Sequence, residues 1–147
     1  MGDAIEILGE DDALRCIILR GAGEEAFCAG ADITNFEAER SDRRKVKAYE
    51  AATDRAFLAV RDSRLPVIAM IHGFCIGGGF ELALAADLRL SGESGRFGVP
   101  AKNIGLFLGY HLVQYLVDAG GRAVAAEILL EGRAITAEEA LAKNLLT

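Results

Sequence analysis

Gly77, Gly78 and Gly79 separate an apolar run, Pro66 to His72, from a helical pattern, Phe80 to Ala86, whose single charge is Glu81. The first amides of a helix have no intrahelical acceptor and carry the positive end of its dipole. Glycines there leave those amides open to an oxygen that gains charge, such as an acyl thioester carbonyl becoming an enolate. One donor aimed at such an oxygen contributes about 2.7–4 kcal/mol to the rate. Glu81 lies three residues beyond Gly78, on the same helix face, where its carboxylate can serve as acid or base beside those amides. The structural alternative is that Glu81 pairs with a cation or stabilises the helix start.

A second glycine loop runs from Gly21 to Ile33 and includes Ala29, Gly30, Ala31 and Asp32. Small residues at 29 to 31 let a ligand approach the backbone, although a tight turn would use the same residues.

These loops need elements to hold them. Arg15 to Arg20 and Pro66 to His72 are short branched runs ending at Gly21 and Gly73, and they read as strands buried on both faces of a parallel sheet. Between them Ser41 and Asp42 can cap a helix with Tyr49, Ala52, Ala56, Phe57 and Val60 on its apolar face. Phe80 to Ala86 predicts an enclosed helix and Asp87 to Ser91 a further strand. Helices follow from Tyr110 to Ala119 and from Arg122 to Glu131, stopped by Gly120-Gly121 and by Gly132. Thr136 and Glu139 have the spacing of a capping box. The order is α/β, with a site expected at strand ends.

The chain has 147 residues, 52% of them hydrophobic, enough for one core, so a single domain over 1–147 is expected. A net charge of −6 argues against a nucleic-acid surface. An acidic start, MGDAIEILGEDDALR, and short aliphatic runs predict a soluble cytoplasmic protein with no membrane contact. Cys16, Cys28 and Cys75 form no CxxC pair, so neither a disulfide framework nor a metal site is expected. The run Glu39 to Lys47 reads as a solvated helix face, or as a place where Arg43, Arg44 or Lys47 meets phosphates.

The segments FCAGADI (27–33), VIAMIHGFCIGGGFELALAADLRLS (67–91) and FGVPAKNIGL (97–106) resemble, in order and spacing, consecutive motifs of the crotonase family, the enoyl-CoA hydratases and isomerases. The resemblance runs from about Asp12 to the end. It implies a spiral of β-β-α units assembled as a trimer or a pair of trimers, and an acyl-CoA thioester substrate, with coenzyme A as part of that substrate and no separate cofactor. By the same resemblance the amides of Ala29 and Gly78 form the oxyanion hole. The Ala29, Gly30, Ala31, Asp32 and Ile33 segment holds the CoA adenine, Gly77 and Gly78 line the acyl site, and Glu81 activates the water added to the β-carbon in fatty acyl metabolism.

Two departures stand out. The family's second catalytic glutamate would follow Pro100, where this chain has Ala101, and the following Pro-Gly turn is replaced by Phe107-Leu108-Gly109-Tyr110-His111. The chain also lacks the family's N-terminal strand pair and C-terminal helical segment, so the implied fold is a truncated one. Three readings follow: an acyl-CoA hydratase or double-bond isomerase working through Glu81, a CoA-thioester-binding protein without turnover, and a cysteine hydrolase using Cys28 or Cys75 with His72 or His111. Tyr110 and His111 are candidates for a replacement proton donor, or simply residues of a helix start.

Overall fold

A computed structural model describes residues 1–32 and 42–147. Helix α1 (Gly2–Gly9) leads to strand β1 (Ile17–Leu19) and strand β2 (Ala26–Cys28). Helix α2 (Arg43–Arg61) is followed by β3 (Val67–Ile71), β4 (Phe74–Ile76), α3 (Gly78–Ala85), β5 (Leu88–Ser91) and β6 (Arg96–Gly98). A 3-10 turn (Pro100–Ile104), α4 (Tyr110–Glu131), β7 (Ile135–Thr136) and α5 (Ala137–Ala142) complete the order. Among the described residues, no helix is long and apolar enough to cross a membrane.

The strands form two sheets. One has the order β1-β3-β5 and is parallel, pairing Ile17 with Val67 and Ile68 with Leu88. The other, β2-β4-β6-β7, is parallel except for the antiparallel β7. Strands β1, β3 and β5 lie where the apolar runs predict them. The second sheet was not legible as strands: its members are three residues or shorter and sit within glycine-rich stretches that read as loops.

Burial follows the residues with two corrections. Val67, Ala69 and Ile71 are buried, but Ile18, Met70, Leu88 and Leu90 on the other face of the first sheet are 39–57% exposed, so these strands are not covered on both sides by the described helices. A continuous apolar run signals two faces that tolerate burial; it does not supply the element that would cover the second. Likewise, Phe57 and Val60 of α2 enter the core, whereas Tyr49 and Ala52 are exposed among the described residues.

The local signals act as their chemistry requires. The Asp42 carboxylate accepts from the Arg44 amide at 2.9 Å, and Thr136 Oγ1 accepts from the Glu139 amide at 3.2 Å, each closing a helix start. Gly121 breaks α4 with φ 80° and ψ 168°, and Gly132 ends it in the left-handed region. The Asp87 carboxylate accepts from the Val67 amide at 2.7 Å while its own amide donates to the Val67 carbonyl at 3.0 Å, joining the end of α3 to the head of β3. Phe80 and Phe97 meet at 5.5 Å between ring centroids, fixing α3 onto β6 at the centre of the core.

Candidate active site

The second sheet positions both glycine loops. Strand β2 runs parallel to β4 with Ala26 opposite Phe74 and Cys28 opposite Cys75, so Phe27 is an extra residue that bends β2 just before Ala29. Strand β4 ends at Ile76, and the Gly77 amide continues its ladder to the Gly98 carbonyl at 2.9 Å. Gly77 then turns the chain into α3 with φ 56° and ψ −123°, a backbone that only glycine adopts without strain.

The loops meet through backbone alone. A Cβ on Gly30 would lie 3.0 Å from the Ile76 carbonyl oxygen and 3.4 Å from the Gly78 nitrogen, and a Cβ on Gly79 would run into the Cys28 carbonyl. The first turn of α3 is thereby pressed against the exit of β2. The Phe80 and Glu81 amides both donate to the Gly77 carbonyl at 3.0 Å. The Gly78 amide sits at the first helical position, where the helix itself supplies no acceptor. Ala29, Ala31 and Asp32 are exposed beside it, and Gly30, Gly77 and Gly78 are half-buried. Ile33 lies outside the described residues.

Glu81 is half-buried one turn along the same face, and no hydrogen bond or ion pair among the described residues takes its carboxylate. Burial, and secondarily the Asp54 carboxylate of α2, push its pKa up to about 7. Its ionisation thus falls closer to neutral pH than that of an ordinary carboxyl. Glu81 is therefore a half-buried carboxyl with no ion-pair partner among the described residues.

Several contributors to this environment were not identified from sequence. Phe57 packs on Gly78, with its Cζ 4.0 Å from the position of a Gly78 Cβ. Asp54, Phe57 and Arg61 recur at helical spacing on α2, so a charge interleaved with that helix's apolar stripe was the available signal. Tyr115 of α4 is buried, and burial raises its pKa above the ordinary phenol range, with Arg61 of α2 opposing the rise.

The remaining candidates separate clearly. Ala101 is buried in the 3-10 turn, its carbonyl accepting from the Leu106 amide at 3.0 Å, and its methyl group has no proton to exchange. Tyr110 is 75% exposed and donates to Gln114 Oε1 at 3.1 Å, as a surface residue of the helix start. His72 donates from Nε2 to the Gly23 carbonyl at 2.7 Å, and His111 stacks on Tyr115 at 6.3 Å. Cys75 is fully buried, and burial, with a smaller contribution from Cys28, holds its thiol far above the ordinary range, the opposite of what a nucleophilic thiolate needs. A separate groove of about 650 Å³ between β5 and α5, lined by Leu90, Arg96, Thr136 and Leu141, contains none of the site residues.

The enoyl-CoA hydratase/isomerase family model matches residues 1–146 of this chain. An enoyl-CoA hydratase/carnithine racemase from Magnetospirillum magneticum is 44% identical, with a TM-score of 0.94 over 99% of this chain and 54% of that one. An enoyl-CoA hydratase from Bacillus anthracis is 34% identical with a TM-score of 0.90, over 98% of this chain and 55% of the other. The crotonyl-CoA hydratase of Syntrophomonas wolfei is 31% identical over 144 residues, 98% of this chain and 55% of that protein. The chain spans about half the length of the curated relatives it matches.

Proposed function

Because the chain belongs to the enoyl-CoA hydratase/isomerase family and matches crotonase-fold structures over about half of their length, we propose that it adds water to a 2-enoyl-CoA at the site built by Ala29, Gly78 and Glu81. The observation that carries this reading is the convergence of the Gly30 backbone with the Gly78 amide, one helical turn from a half-buried Glu81. The thioester carbonyl accepts from the Ala29 and Gly78 amides, so that electron density leaving the double bond collects on that oxygen. Glu81, as carboxylate, takes a proton from water while the water oxygen bonds to the β-carbon. The same group, now protonated, returns the proton to the α-carbon and the enolate collapses. One carboxylate thus closes the cycle in a chain that has Ala101 in the other position.

The CoA moiety lies along Ala29 to Ile33, with Asp32 in the same segment, and enters as part of the substrate. Arg44 and Lys47, both exposed on α2, are available to its phosphates. The assembly proposed is a homotrimer or a pair of trimers. Ala101 favours a second reading, a protein that binds CoA thioesters without turning them over.

Incubation with crotonyl-CoA and, separately, a 3-enoyl-CoA, with products identified by mass and retention, tests the proposal. A 3-hydroxyacyl-CoA that disappears with Glu81→Gln while substrate binding persists is the expected result. A 2-enoyl product from the 3-enoyl substrate alone assigns the protein to double-bond isomerisation. Binding without either product assigns it to the second reading, and turnover unchanged in Glu81→Gln refutes the role of Glu81.

A further inference from the structure

Cys28 and Cys75 are a register pair of β2 and β4. Directly paired residues of neighbouring parallel strands point to the same face, and here that face is the core: Cys75 is fully buried in it and Cys28 packs against it. One residue of α3 covers both. Cys75 Sγ donates to the Gly79 carbonyl at 3.5 Å, and a Cβ on Gly79 would lie 2.7 Å from the Cys28 Cβ. Neighbouring strands run about 4.7–4.9 Å apart, inside the range of about 4.4–6.8 Å between Cα atoms that a disulfide accepts. The two thiols differ in access. Cys28 is half-buried and is followed by the exposed Ala29, whereas Cys75 is closed off from solvent. Cys16, the remaining cysteine of the chain, precedes β1 of the other sheet. The reaction proposed above uses neither Cys28 nor Cys75.

We infer that Cys28 and Cys75 are a hydroperoxide-sensitive pair that closes to a disulfide beneath the two glycine loops and thereby lowers turnover at the site. The Cys28 sulfur attacks one oxygen of the hydroperoxide, the O–O bond breaks, and the Cys28 proton leaves with the other oxygen as water or an alcohol. The Cys75 sulfur then attacks the sulfenic sulfur of Cys28: the S–S bond forms, the S–O bond breaks, and the Cys75 proton departs with the hydroxyl as water. Two thiols are oxidised and one hydroperoxide is reduced. Burial disfavours the Cys75 thiolate, so this second step draws on proximity and is slower than at an exposed thiol. The bond acts on the site through the backbone. Disulfide Cβ atoms lie about 3.5–4.5 Å apart, closer than the strand spacing, so closure draws β2 toward β4. Ala29 follows Cys28 directly and Gly78 lies three residues beyond Cys75, so the spacing of their amides changes. Oxidation also removes the S–H that ties Cys75 to Gly79. The effect on turnover rests on the oxyanion hole proposed above; formation of the bond does not.

The test treats the unaltered protein with hydrogen peroxide well past oxidation of the exposed Cys16, blocks the remaining thiols, and maps peptides by mass without reduction. The expected product is a peptide containing Cys28 joined to one containing Cys75, separated again by dithiothreitol. With it kcat/KM for crotonyl-CoA should fall about tenfold or more and return with dithiothreitol. Cys28→Ala should keep its turnover through the same treatment; should that variant not fold, the peptide map of the unaltered protein decides by itself. Cys75 still free beside a Cys28 that is free, sulfinic or sulfonic overturns the inference, as does a linked peptide with turnover unchanged. If the unaltered chain turns over no crotonyl-CoA, the proposed reaction fails. The peptide map then still decides whether the pair closes, and crotonyl-CoA binding before and after oxidation decides whether closure reaches the loops.

Discussion

Replacing Glu81 with glutamine removes an ionisable group from a half-buried position while preserving the side chain's shape, and its effect on stability can be worked out from the site. Burial first, and Asp54 second, lift the Glu81 pKa from 4.5 to about 7. In the unfolded chain this carboxyl ionises near its ordinary value, so between the two pH values the folded form holds more protons. Stability therefore falls as pH rises through that window and stays lower above it. At about 1.4 kcal/mol per tenfold change the ceiling of this penalty is about 3 kcal/mol. Solvent reaches the half-buried carboxylate, which reduces the expected value to roughly 1.5 kcal/mol. Urea denaturation at about pH 5 and about pH 8.5 measures it. The two proteins should be nearly equal in stability at the lower pH, and Glu81→Gln more stable by roughly 1.5 kcal/mol at the higher. An equal difference at both pH values would show that Glu81 ionises alike in folded and unfolded chains, and the reasoning from burial would fall.

Gly79→Ala places a methyl against the Cys28 carbonyl and should cost about 1–3 kcal/mol in denaturant midpoint while also weakening binding of CoA thioesters, because the helix start must move off β2. Asp87→Ala removes the carboxylate that accepts from the Val67 amide and should lower stability by about 1–3 kcal/mol, with hydrogen exchange faster at Val67. Iodoacetamide under native conditions should label exposed Cys16 and spare buried Cys75, as read by peptide mass; rapid native labelling of Cys75 accompanied by inactivation would reopen the cysteine reading.

Strands β1, β3 and β5, the enclosed α3 and the caps at Asp42 and Thr136 were all legible because each rests on local chemistry: branched apolar runs, an all-apolar helix, a side-chain oxygen within reach of an amide. The exact partner of each loop was not local. The glycines at 30, 77, 78 and 79 announce that backbone must come close to something, but only the parallel pairing of β2 with β4 makes that something the other loop. Strands β2, β4 and β6 are too short to show a period, so the sheet that builds the site was invisible until its long-range hydrogen bonds formed.

The sequence by itself determined the family, through the order and spacing of FCAGADI, the triple-glycine stretch with Glu81, and Pro100-Ala101. It also showed that one carboxylate of the expected pair is a methyl group. The tertiary structure decided the state of the carboxylate that remains. Burial, and secondarily the Asp54 carboxylate of α2, raise the Glu81 pKa. A pKa depends on the solvent removed and the charges gathered by the fold, here with Asp54 27 positions away in the chain, and no spacing within the motif encodes them.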